Sequence, residues 1–327
     1  MRRYGWFQST CWLLLLGLVT FINPSGLRLH QAAAALSREA IVFNSNRTGN
    51  DEIYALNAAG AEARQLTRDE RYDSWWGRVS PDRRQILFYR TPAGTHDDDY
   101  TQNSLWVMNA DGSAPRVLRA AGTDGWKIQG HAEWSPDGKS LVMFGGADWN
   151  TAQIFVTNAA GVAPRRLTNG SGFYYDPSWS PDGMKLVFTG CSSKRCSQKE
   201  IEVYTLPVSG SPSLTRLTHD SIPDYDPYFS PDGRQIGWLS MVGRTHAQGE
   251  WSIRLASSDG KGARFVINDG NVNGYPAWSR DGELIYFHRL VYGQGEHFSL
   301  WAIRPDGSGL KQITRGAAGH DEYPAAN

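Results

Sequence analysis

The phrase YDPSWSPDGMKLVF, from Tyr175 to Phe188, returns about fifty residues later as YDPYFSPDGRQIGW, from Tyr225 to Trp238. Aligned on its serine it occurs at Ser80 (RVSPDRR), Ser135 (EWSPDGK), Ser180 (SWSPDGM), Ser230 (YFSPDGR) and Ser279 (AWSRDGE). Such a period restricts the chain to architectures in which one supersecondary unit stacks on copies of itself.

Each copy has the same internal order. A short stretch ends in a bulky residue (Val79, Trp134, Trp179, Phe229 or Trp278), and Ser-Pro-Asp-Gly then suits the four positions of a type I turn. The next strand is β-branched and aromatic, as in ILFYR (Ile86 to Arg90) or LVFTG (Leu186 to Gly190). After a variable loop comes a third strand such as SLWVMN (Ser104 to Asn109), a second turn (NADG or NAAG) and a short fourth strand. Four antiparallel strands at this period describe the blade of a β-propeller, with the bulky residue wedged between neighbours.

The first unit, from AIVFNS (Ala40 to Ser45), lacks a first strand, and DEYPAAN (Asp321 to Asn327) superposes on the first strand NGYPAWS (Asn273 to Ser279). Together the fragments complete one blade. The expectation is therefore an all-β, six-bladed propeller over residues 36–327, its ring closed by the last strand; an open solenoid of similar units is the alternative. The WSPDG copies resemble those of the TolB-like, WD-repeat-like propeller family, across nearly all of residues 36–327. TolB itself carries an α/β domain ahead of its propeller, for which the sequence leaves no room before Ala40.

The N-terminus reads differently: Arg2 and Arg3, the apolar run CWLLLLGLVTFI (Cys11 to Ile22) and the small residues of HQAAAAL describe a secretory signal peptide over residues 1–35. An uncleaved anchor is the other reading, but Asn23, Pro24 and Arg28 interrupt the run before the ~20 apolar residues that a span needs. A periplasmic or secreted location follows, without membrane insertion after cleavage. There Cys191 and Cys196, in CSSKRC, are expected to form a disulfide. With 33 Lys+Arg against 33 Asp+Glu, no global charge draws the chain to nucleic acid.

In such a meander the loops after the second strands share one face, and here they are long: TPAGTHDDDYTQN (Thr91 to Asn103), GADWN (Gly146 to Asn150), CSSKRCSQK (Cys191 to Lys199) and MVGRTHAQGE (Met241 to Glu250). First strands line the channel. The position four before the aligned serine, near the mouth on this face, reads Trp76, His131, Asp176, Asp226, Tyr275 and Tyr323 around the ring. Aromatic planes beside carboxylates and an imidazole suit a peptide or a sugar, and Trp75, Tyr174, Tyr175 and Tyr225 are expected in the same region. Asp176 and Asp226 precede prolines, so capping of backbone N–H groups is an alternative role. His131 with both aspartates offers ligands to a divalent cation, as does the run Asp97, Asp98, Asp99 to calcium, although such runs are mostly solvated. No other cofactor is indicated. No G-x-S-x-G elbow or H-E-x-x-H helix occurs, and His288, His297 and His320 read as surface or packed histidines.

Two functions fit. One is an exported, non-enzymatic scaffold that binds a peptide, protein or cell-envelope polymer at the channel mouth and long-loop face. The other is a carbohydrate-active enzyme, since some propellers with similar turns resemble oligogalacturonate lyases with a histidine-rich manganese site; only His131 occupies the ring position here.

Overall fold

The structure, a computed structural model, describes residues 36, 40–57, 62–96, 99–193, 195–210, 213–243, 250–293, 297–315 and 319–326. The expected leader, residues 1–35, lies outside them. Strands β1 (Ala40–Ser45), β2 (Glu52–Asn57) and β3 (Arg64–Gln65) come first. Meanders follow as β4–β7 (Tyr72–Val79, Gln85–Pro92, Ser104–Asn109, Arg116–Arg119), β8–β11 (Ile128–Trp134, Ser140–Gly146, Gln153–Asn158, Arg165–Arg166) and β12–β15 (Phe173–Trp179, Lys185–Cys191, Glu202–Pro207, Thr215–Arg216). Then come β16–β19 (Asp224–Phe229, Gln235–Met241, Trp251–Ser257, Arg264–Ile267), β20–β23 (Val272–Trp278, Ile285–Leu290, Ser299–Ile303, Lys311–Gln312) and β24 (Asp321–Ala326). The fold is an all-β propeller.

Four sheets have four strands, among them β24-β1-β2-β3, in which the last strand pairs antiparallel with the first as the sequence suggested. The count of separate sheets departs from the expected six: β16–β19 and β20–β23 belong to one sheet of eight strands. The strand pairing that joins them is the parallel pair Trp251↔Val272. The cause is a link that recurs between neighbouring meanders. The start of one first strand donates a backbone hydrogen bond to the preceding unit, as in Ser74 N to Asp51 O (2.7 Å), Tyr174 N to Ala152 O (2.9 Å) and Asp224 N to Ile201 O (3.0 Å). At this link the Trp251 N–H also donates to Asn271 O (3.2 Å), and the contact becomes a β-bridge.

The turns form as their composition requires. The fourth residue donates its N–H to the serine carbonyl, at 2.8 Å for Gly138 and 2.9 Å for Gly183. Each serine hydroxyl donates to the turn aspartate at 2.6–2.7 Å and accepts the N–H five residues on at 2.9–3.0 Å. The fourth residue is left-handed, with φ +69° to +74° at Gly138, Gly183, Gly233 and Gly282. The bulky residue before the turn wedges as expected: the Trp134 indole donates to Arg78 O (3.3 Å) and that of Trp179 to Glu133 O (3.4 Å), each in the preceding unit.

Arg83 is the exception among these turns, an arginine at φ +59° where the others carry glycine. Its Cβ is crowded against the following carbonyl, a strain that glycine lacks. Arg83→Gly is expected to raise the unfolding free energy by about 1 kcal/mol, the left-handed penalty less the entropy lost by glycine; urea denaturation checks this, and a loss of stability would contradict it.

Candidate functional site

The six ring positions share a backbone feature that the repeat did not announce. Trp76, His131, Asp176, Asp226, Tyr275 and Tyr323 all have positive φ, between +46° and +58°. Each lies in a β-bulge where two first-strand residues oppose one on the adjacent strand: Trp75 pairs Tyr89 and Arg78 pairs Leu87, leaving Trp76 and Gly77 against Phe88. The same two-against-one step falls at 131/132, 176/177, 226/227, 275/276 and 323/324. The lone opposing residues are Phe88, Met143, Phe188, Trp238, Phe287 and Phe43, all large and fully buried. A bulge re-aims its side chain, and left-handed non-glycine residues collect at functional sites.

The re-aimed side chains converge. The Trp76 ring stacks on His131 at 3.9 Å, and Tyr275 and Tyr323 each lie 5.7 Å from Trp76 and 4.3 Å from each other. His131 Nδ1 is 2.5 Å from an Asp176 carboxylate oxygen and 3.8 Å from one of Asp226, and its Nε2 is 3.1 Å from the Tyr100 hydroxyl. The side-chain ligand atoms of His131, Asp176 and Asp226 lie within 4.8 Å of one another, so the expected cation-ligand set is brought together. Beneath them the Arg78 guanidinium sits 3.8 Å from the Trp76 ring centre and meets Glu133 at 2.5 Å and the Tyr228 hydroxyl at 3.2 Å.

These groups separate two spaces. On the long-loop side a cavity of about 1050 Å³ is lined by His131, Asp176, Asp226, Tyr275 and Tyr323 and by loop residues that include Tyr100, Trp149, Gln198, Trp251 and Tyr292. On the turn side a cavity of about 540 Å³ is lined by Arg78, Glu133, Tyr228 and the turn prolines. Five of the six ring residues thus reach the loop-side cavity, while Trp76, only 1% exposed, packs as its support. Of the four flanking aromatics, Tyr175 and Tyr225 line the cavity, stacked 6.5 Å apart. Trp75 is buried behind it against Tyr89 and Tyr100, and Tyr174 points instead into the sheet, against Phe188 and Tyr204. Burial pushes the Tyr225 phenol up to about 12 and that of Tyr175 well above its ordinary value.

His288 is a packed histidine, 5.2 Å from Tyr275 and 4.6 Å from Phe298, and it also borders the cavity; burial lowers it to about 4. Cys191 and Cys196 form a disulfide with Cα atoms 6.4 Å apart, beside the rim residue Gln198. In the acidic run, Asp97 and Asp98 lie outside the described residues. Asp99 accepts from the Thr101 N–H (3.0 Å), capping the short 3₁₀ turn that carries Tyr100.

Sequence reasoning missed Tyr100, a loop tyrosine with no ring counterpart, and His96. His96 Nδ1 lies 3.2 Å from Asp51 and 3.8 Å from Asp73, and its Nε2 3.8 Å from Glu322. Asp73 also accepts the backbone N–H groups of Gly94 (2.6 Å) and Thr95 (3.1 Å), which fixes this loop. Burial alone would lower the imidazole, but hydrogen bonds to Asp73 and Glu322 and the Asp51 charge raise it to about 11. Only the loop position of His96 and the acids just before β2, in β4 and in β24 signalled this contact.

No family model matches the chain. A 153-residue stretch is 31% identical to a protein TolB homolog of Chlorobium luteolum, covering 45% of this chain and 30% of that relative. TolB from Acinetobacter baumannii superposes with a TM-score of 0.68 at 16% identity, over 89% of this chain and 67% of that one. The chain is a β-propeller similar to those of TolB proteins. An oligogalacturonate lyase of Vibrio parahaemolyticus shares the fold with the propeller at a TM-score of 0.56 and 14% identity, over 86% of this chain and 76% of the other. The match spans under a third of the curated relative's length, and the two structural likenesses speak to fold alone.

His96→Gln is expected to destabilise the propeller by about 2 kcal/mol near pH 6, because three carboxylates lose a partly buried cation. The folded-state value lies above the ordinary 6.5, so the stabilisation is complete below pH 6.5 and is lost as pH rises towards about 11. Urea unfolding of both proteins across that range should show their difference shrinking; a difference independent of pH would mean that His96 carries no charge.

Proposed function

We propose that the protein is an exported, non-enzymatic envelope scaffold that holds a segment of peptide in its loop-side cavity. The observation that carries this reading is the set of six strained bulges, which aim side chains of four kinds at one point although a turn-making repeat needs no such variety. A cavity of about 1050 Å³ with aromatic walls and a few polar groups has the size and character of a ligand site. The ring is read as six-bladed, the eight-stranded sheet counting as two blades. Residues 1–35 are read as a cleaved signal peptide and residues 36–327 as the mature propeller, in the periplasm or secreted. The likeness to TolB proteins supports an envelope partner, and among the described residues no helix is long and apolar enough to cross a membrane.

The second reading, a metal-dependent oligouronide lyase, draws on the clustered His131, Asp176 and Asp226 and on the fold shared with the lyase. It requires release of an unsaturated uronate product, absorbing near the ultraviolet edge, in a manner abolished by chelation.

The binding reading is tested on the rim. Trp149 is 43% exposed and Asp226 faces the cavity, so Trp149→Ala with Asp226→Asn perturbs the site more gently than truncation of the buried Trp76. A peptide array covering envelope-protein sequences should yield peptides that raise the wild-type melting temperature and leave that of the variant unchanged, since a ligand bound only by the native state stabilises it by mass action. Equal shifts in both proteins would place binding elsewhere. Mass mapping of exported protein under non-reducing conditions should recover Cys191 and Cys196 in one linked peptide; free thiols would argue against an oxidising compartment.

A further inference from the structure

The sign of the cavity is fixed more sharply than its shape. Its lining includes Asp176 and Asp226 on the floor and Glu250 nearer the walls, with Glu322 already facing His96 at 3.8 Å, and among the described lining residues there is no lysine or arginine. This is a local choice, because the chain as a whole carries 33 basic and 33 acidic residues. Arginines of the surrounding sheets are committed to other acids: Arg119 to Asp124 (2.8 Å), Arg254 to Asp220 (2.8 Å) and Arg289 to Asp269 (2.7 Å). Arg78 lies on the far side of the plug, with Glu133. His288, held down to about 4 by its burial, is neutral near pH 7 and adds no positive charge.

The walls complete the pattern. Tyr175 and Tyr225 are stacked, Trp149 stands edge-on to Tyr175 at 5.9 Å, and Trp251 lies 5.3 Å from Tyr225. Ring faces attract cations electrostatically, and a low-dielectric cleft lined by one sign of charge concentrates the opposite ion. The same field repels uronates, so the missing bases act against an acidic sugar as strongly as the acids act for a cation.

Building on the binding reading, we infer that the loop-side cavity selects an organic ammonium group, presented as a lysine side chain or free amino terminus of a peptide. The ammonium is placed between the tyrosine and tryptophan faces, within reach of the Asp176 and Asp226 carboxylates, and the remainder of the peptide lies along the rim. His131 is already engaged by Asp176 and Tyr100, so it positions the carboxylate on the floor of the site.

Titration calorimetry of the mature chain tests this with an acetylated hexapeptide containing two lysines, its glutamate and alanine counterparts, spermidine and trigalacturonate. The lysine peptide is expected to bind at least tenfold more tightly than either counterpart, to weaken as salt is raised, and to lose about tenfold on Asp226→Asn. Trigalacturonate is expected not to bind. Spermidine matching the peptide would identify a small amine as sufficient, and a tighter peptide would identify the peptide as the source; both support the ammonium. If the alanine or glutamate peptide binds equally well and Trp149→Ala abolishes it, the ammonium inference fails while the binding reading stands. Binding of trigalacturonate alone overturns both, as does the absence of heat with every probe.

Discussion

The fold depends on the pairing of β24 with β1. A ring of sheets left open exposes two strand edges, and here that is prevented by the pairs Val42↔Ala325, Asn44↔Glu322 and Ser45↔Asp321. Polar contacts fasten the seam: Arg47 pairs with Asp321, Asn46 accepts the His320 N–H at 2.7 Å, and His96 spans from Asp51 to Glu322. The same strand supplies Glu322 and Tyr323 to the loop-side cavity. Closure and site are therefore one element, and anything that loosens the seam removes a wall of the cavity before it unfolds a sheet.

A second constraint works within each unit. A left-handed non-glycine residue costs of order 1–3 kcal/mol, and the chain accepts this six times on its central axis. Opposite each bulge a large apolar side chain is fully buried, which contributes about 1.5–3 kcal/mol per residue. The two magnitudes are comparable, so the sheets can carry the strain without losing the fold. Because the backbone is fixed by the pairing on either side of the bulge, the side chain at that position is free to differ from unit to unit. Trp, His, Asp and Tyr occupy equivalent backbone sites, and chemical variety is obtained on a repetitive scaffold.

That division explains what could be read beforehand. Strand order, turns, the wedging tryptophans and the closing strand follow from local composition, and they appear where the repeat places them. Counting back from Ser80 or Ser230 also locates the residues that meet on the axis, because the bulge keeps a constant offset from the turn. The offset does not say how deep each side chain sits: Trp76 is sealed beneath its neighbours, and Tyr174, one residue from Tyr175, faces its own sheet as strand alternation requires, whereas the bulge breaks that alternation at Asp176. Contacts made by loops were not legible at all. Tyr100 reaches His131, and His96 reaches Asp51, Asp73 and Glu322, through conformations that no repeat specifies. The merging of β16–β19 with β20–β23 turns on one additional hydrogen bond, from the Trp251 N–H to Asn271 O, which is likewise below the resolution of a sequence pattern.

The channel is closed at mid-height, and this bears on how a ligand can occupy it. Trp76, His131, Tyr275 and Tyr323 fill the axis from above, and the Arg78, Glu133 and Tyr228 cluster fills it from below. Removing Arg78 or Glu133 from that lower cluster would leave the other charge buried and uncompensated, so it resists opening. A strand threading from face to face would have to displace both layers. The loop-side cavity, as the described residues line it, is instead a pocket bordered by the long loops, and it suits the capture of a chain end or of a single projecting side chain. The carboxylates sit on the floor of that pocket and the aromatic faces on its walls, so a ligand meets the stacking surfaces on entry and the charge only when fully seated.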